Sequence, residues 1–298
     1  MCALAWGLAL ASVAGGCSFT SVATTGRAGS RLAAYEHAFE YSAEFCRLLG
    51  EPIEGGPGTV KCEDLARDRE IWRRLFSVLS LYGTTLEWVA TGRWVDVDSL
   101  VSASLLGVDI DGLIDEDSPK EVSFALVALV DLLAQQPRRK HLRKALRQVE
   151  GPIAKVIVSA RANVEINLVN LCAIDHAAEI AARTWGAARC VDGEPACTVK
   201  SNGVRMSLEH VRVTAKKERL LLMELDAALE SFAVAHARLC ADSGKIGRPA
   251  DKRLDERIKA EIRAAVENSE TKLAQYEDCE PSVGPDSERG PRGGNDDD

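Results

Sequence analysis

Carboxylates, cations, cysteines and histidines at short spacing are the groups in this chain that could do chemistry. Asp109, Asp111 and Asp115 alternate around Gly112, a pattern that lets oxygens converge on a hard cation such as calcium while the glycine allows a sharp turn. Gly107 and Ser118 occupy the first and last ligand positions, so the expectation is a solvated acidic loop with at most weak calcium binding. A basic run follows, in which Arg138, Arg139, Lys140, Arg143, Lys144 and Arg147 put six positive charges in ten residues. Such a run suits lipid phosphates, lipopolysaccharide or cell-wall carboxylates, or it offsets the acidic segment just before it. For bond-making chemistry there is no HExxH, GxSxG, GxGxxG or GxxxxGK[ST] pattern, and His37, His141, His176, His210 and His236 nominate no triad. A non-enzymatic role is therefore expected.

Residues 1–16, MCALAWGLALASVAGG, carry no Asp, Glu, Lys or Arg, and the apolar stretch from Leu4 to Val13 ends in small residues before Cys17. This reads as a secretory hydrophobic region with a processing site, and it is too short to span a bilayer. Ala14-Gly15-Gly16-Cys17 resembles the lipobox of bacterial lipoproteins. The resemblance covers the first 17 residues and does not extend to the folded body. It implies that Cys17 is lipidated and becomes the mature N-terminus, and Ser18 after it implies the outer membrane. Residues 17–29 are small, polar and aperiodic, as expected of a flexible lipid-anchored tether.

An exported chain folds where disulfides persist. Cys46 and Cys62 flank the turn-rich segment 51–59, and Cys190 and Cys197 bracket Asp192-Gly193 and Pro195, so spacing suggests these two staples. Each would contribute about 2 to 3 kcal/mol by restricting the unfolded chain. Cys172, Cys240 and Cys279 are left over. Neither CxxC nor cysteine with histidine at zinc spacing occurs, so no metal cofactor other than calcium is suggested.

The elements that must position these groups follow from periodicity. The chain has 298 residues, 46% hydrophobic and 28% charged, with a net charge of -8. That composition excludes a wholly disordered chain or a collagen-like repeat, and its acidity argues against a nucleic-acid binder. Apolar residues recur at alternating gaps of three and four in Leu32–Leu49, Leu65–Val89, Ile153–Trp185 and Leu208–Leu239, the last two pairing Ile174 with Leu222 and Ile157 with Leu239. Gly151-Pro152 reads as the third helix's start, and a fifth helix spans Asp251 to Tyr276. The segment from Lys120 to Gln136 is apolar on nearly every face, as in a buried central helix.

The fold class is all-α, an elongated helical bundle over 30–277 whose long antiparallel hairpin ends in a disulfide-closed loop and a short β-hairpin at Asn202-Gly203. An acidic disordered tail is expected over 278–298. The function expected is that of a structural or adaptor component of the envelope, membrane-attached through its anchor. It would contact other envelope proteins through Asp192, Lys200, Asn202 and Arg205 at the tip; a small-molecule or calcium-binding module is the alternative.

Overall fold

A computed structural model describes residues 19–35, 37–39, 62–92, 142–187, 195–277 and 279. Five α-helices make up nearly all of this, and no strand occurs among the described residues. They are α1 (Thr20–Ser30), α2 (Cys62–Thr91), α3 (Leu142–Ala187), α4 (Pro195–Ala241) and α5 (Asp251–Leu273). Short 3₁₀ turns cover Arg31–Tyr35, Ser243–Lys245 and Ala274–Tyr276. The chain is all-α.

The helices α3 and α4, of 46 and 47 residues, are each about 70 Å long. They run antiparallel, because Leu146 O accepts from Cys240, Arg161 binds Asp226 and Asp175 binds Arg212 in one descending register. That register is offset by about nine residues, between two and three turns, from the pairing of Ile174 with Leu222. Their facing seams, Ile153, Ile157, Val164 and Leu171 against Leu222, Leu225, Phe232 and Leu239, are at most 2% exposed. Each buried Leu, Ile or Phe stabilises the fold by about 1.5 to 3 kcal/mol. α3 is long and apolar enough to cross a membrane by length and composition, but here its inner face lies in the bundle core.

Four expectations are corrected. Pro152 does not start a helix; it lies inside α3, which begins at Leu142. Its missing N–H leaves the Gln148 carbonyl without an intrahelical donor, and Gln148 is exposed to water. Asn202-Gly203 is likewise helical, within α4. A two-stranded ribbon alone is marginal, whereas helix extension satisfies each backbone group locally from a start at Pro195.

The supposed tether over 17–29 is, from Thr20, the packed helix α1. Ten small, β-branched or glycine residues and Arg27 would not hold a helix alone. Their smallness instead allows a backbone-close crossing of α2: a Cβ on Gly26 would lie 2.6 Å from both Glu87 N and Gly83 O. Finally, Cys172 and Cys279, left over by spacing, form a disulfide with Cα atoms 5.2 Å apart, while residues 280–298 of the expected tail lie outside the described residues.

Candidate functional site

Of the residues nominated from sequence, Arg143, Lys144 and Arg147 have described side chains, in the first turns of α3. Lys200, Asn202 and Arg205, with Cys197, lie on the helical backbone of α4, and Cys62 opens α2. Cys17, Cys46, Cys190, Asp192, Asp109, Asp111, Asp115, Arg138, Arg139 and Lys140 lie outside the described residues. Among the described residues no group of three or more His, Cys, Asp or Glu is arranged to hold a metal ion.

The basic start of α3 meets the turn between α4 and α5. Arg143 Nη2 donates to the Ile246 carbonyl at 3.1 Å, while Lys144 and Arg147 are exposed. Arg143, Lys144, Arg147 and Gln148 border a shallow depression. The next residue along the turn, Gly247, has φ +69 and lies under the Phe19 ring, so the chain enters the bundle at this same end. Asp251, fully buried in the first turn of α5, accepts from the Ser21 hydroxyl at 2.5 Å and the Thr20 hydroxyl at 3.0 Å. Its position also suits the partial positive charge of a helix amino end.

A groove of about 640 Å³ opens between α1, α4 and α5. Small residues create it: Ala28 on α1 and Ala227 and Ala228 on α4 leave the floor shallow, with Leu220, Met223, Ile262 and Val266 completing an apolar lining. Arg27, Arg31, Lys259 and Arg263 edge it, opposed by Glu224 and Glu270. Tyr35 also lines it, its phenol pKa raised by partial burial and by the Glu224 charge.

The buried polar groups support packing rather than reaction. Tyr82 Oη lies 3.0 Å from His236 Nε2, and Cys240 Sγ lies 3.7 Å from His236 Nδ1, an arrangement with the residue types of a nucleophile and its base. Burial pushes the His236 imidazole down to about 4 and, with the Glu150 charge, the Cys240 thiol up to about 12. Burial likewise holds the Tyr82 phenol well above its usual range. All three are neutral near pH 7 and at most 4% exposed, so neither a thiolate nor access for a substrate is available. Elsewhere Asp226 accepts from Arg161 Nε at 2.8 Å and from the Ser269 hydroxyl at 2.7 Å, joining α3, α4 and α5. Arg219, 2% exposed, donates to Asp175 at 3.0 Å and to the Glu277 carbonyl at 3.4 Å, while its Nε has no hydrogen bond. The spacing of α4 signalled its apolar seam, but nothing in it marked Arg219 or Asp226 as cross-helix partners.

The outer face of α3 carries a second apolar stripe. Ala154, Val158, Ala162 and Ile166 succeed one another at gaps of four and are exposed, Val158 and Ile166 by 69% and 58%; Val169, three residues on, is half-buried, and Ala173 packs against the core. Glu165 and His176 lie at its edge rather than within it. No family model, curated protein or solved structure matches the chain.

Proposed function

We propose that this chain is a non-enzymatic envelope lipoprotein, anchored through Cys17 at the outer membrane, that acts as a structural or adaptor component. Its contact is the outer stripe of α3, laid against an amphipathic helix of another envelope protein. The carrying observation is the exposure of Val158 and Ile166 on a helix whose opposite face already forms the core. A contiguous apolar stripe left in water favours association, and gaps of three and four suit helix-on-helix packing. The Cys172–Cys279 disulfide supports an oxidising, exported location. Contact through a non-helical tip is not carried forward, because residues 195–206 are helical.

The test inserts a photo-crosslinking residue at Ala162 and compares the parent chain with Val158→Glu/Ile166→Glu in intact envelopes. A discrete adduct lost in the variant, at an unchanged thermal midpoint, is the expected outcome; no adduct, or the same adduct in both, sinks the stripe. Mass spectrometry of the mature N-terminus separately decides the anchor, which an unlipidated residue other than Cys17 would remove.

The groove favours a second reading, a small-molecule-binding module. Native mass spectrometry of the purified chain should then show a bound species that Ala228→Trp displaces, and its absence removes this version. Calcium binding at Asp109, Asp111 and Asp115 belongs to the same reading and is tested by calorimetric titration.

A further inference from the structure

We infer that the end of the bundle formed by the start of α3, the turn 242–250 and the start of α5 is an electrostatic docking face for an anionic phospholipid bilayer. Segments about 100 residues apart in sequence meet there. Lys144 and Arg147 from α3, Arg248 from the turn, and Lys252 and Arg253 from α5 are all exposed. Arg143 links the two sides through the Ile246 carbonyl.

The carboxylates in the same region are largely engaged. Asp242 is held by Lys245 at 2.6 Å, Asp251 is buried beneath the Ser21 and Thr20 hydroxyls, and Asp255 binds Thr24 and Lys259. Glu150 and Glu256 are exposed about one turn farther along their helices. In a chain of net charge -8, this end is a local reversal of sign rather than part of a generally basic surface. The amino end of α5 lies here and adds its partial positive charge.

The occupant follows from charge and from where the described chain begins. Phe19, the first described residue, packs on Gly247, so the described chain begins at this face, two residues after Cys17. Only Ser18 separates Cys17 from Phe19. A basic surface at the membrane-facing end adds electrostatic attraction to anionic headgroups, whatever attaches the preceding segment. This deepens the proposed envelope location and rests on the protein meeting a membrane, but not on acylation of Cys17.

The test uses the full chain carrying Cys17→Ser, floated with vesicles of phosphatidylcholine alone or with about 30% phosphatidylglycerol, at about 0.1 M and about 0.5 M salt. The expected result is binding about tenfold or more tighter to the anionic vesicles, reduced by salt, and brought to the neutral-vesicle level by Lys144→Glu/Arg147→Glu/Lys252→Glu. If that variant loses its cooperative thermal transition, the three Gln substitutions are measured instead, with the same expectation. Equal binding to both vesicle types, or a folded variant that binds like the parent, overturns the face. Binding of duplex DNA without vesicle binding also overturns it by pointing to another polyanion. Failure of acylation at Cys17 strikes the proposed anchor alone, whereas failure of flotation strikes this face alone.

Discussion

His236 shows how burial alone sets the behaviour of a titratable group. Its imidazole is depressed from 6.5 to about 4, so below pH 6.5 the unfolded chain takes up a proton that the folded chain refuses. This contribution to stability is complete above about pH 6.5, falls as pH drops, and levels off below about pH 4. It amounts to about 3 kcal/mol at most. Urea titrations at pH 7 and pH 4.5 should show the parent losing more stability on acidification than Tyr82→Phe/His236→Phe; equal losses would remove His236 as the cause. At this scale the sequence was partly legible. The apolar seam from Leu208 to Leu239 was visible, but His236 within it meets Tyr82, which is 154 positions away and on another helix. The disulfide was hidden for the same reason: spacing favours short loops, and Cys172 and Cys279 are 107 residues apart.

Among the elements, the crossing of α1 and α2 is the most exacting. A Cβ on Gly83 would lie 2.6 Å from the Gly29 carbonyl carbon, inside backbone that cannot yield as a side chain can. Gly83→Ala should therefore cost about 2 kcal/mol or more by forcing the helices apart. Gly151, exposed within α3 with nothing within 4 Å of a Cβ, makes the control. Gly151→Ala should change stability by about 0.5 kcal/mol or less, since its gain in helix propensity is opposed by the adjoining Pro152 ring, and chemical denaturation of both variants checks the pair. The same crossing explains why α1 was unreadable. Ser21, Thr24, Thr25, Gly26 and Gly29 have the composition of a linker, and their burial depends on partners supplied by α2 and α5. The long helices were legible because their apolar residues repeat at helical spacing. Their ends were not, since Pro152 and Asn202-Gly203 are local signals that a continuing helix overrode.

For the whole molecule, the Cys172–Cys279 bond closes a covalent ring around the second half of α3, all of α4 and all of α5. Restricting so long a loop in the unfolded state stabilises the fold by about 4 kcal/mol. Cys172→Ser/Cys279→Ser should lose about that much in urea denaturation of the oxidised chain, and the difference between parent and variant should disappear in reductant. The all-α class followed from periodicity and the net charge from composition. The reversal of sign at one end did not, because it arises only when the turn 242–250 folds against the start of α3.

The hydroxyls of α1 also bear on the order of assembly. Ser21 and Thr24 bond Asp251 and Asp255, which lie about 230 residues later. At about 5 to 20 residues per second, synthesis takes about 10 to 50 s to supply those carboxylates. The first helix to be made is thus among the last to be completed. Until then Ser21 and Thr24 lack the carboxylates that hold α1 to α5, so the docking of α1 comes only when the body is nearly whole.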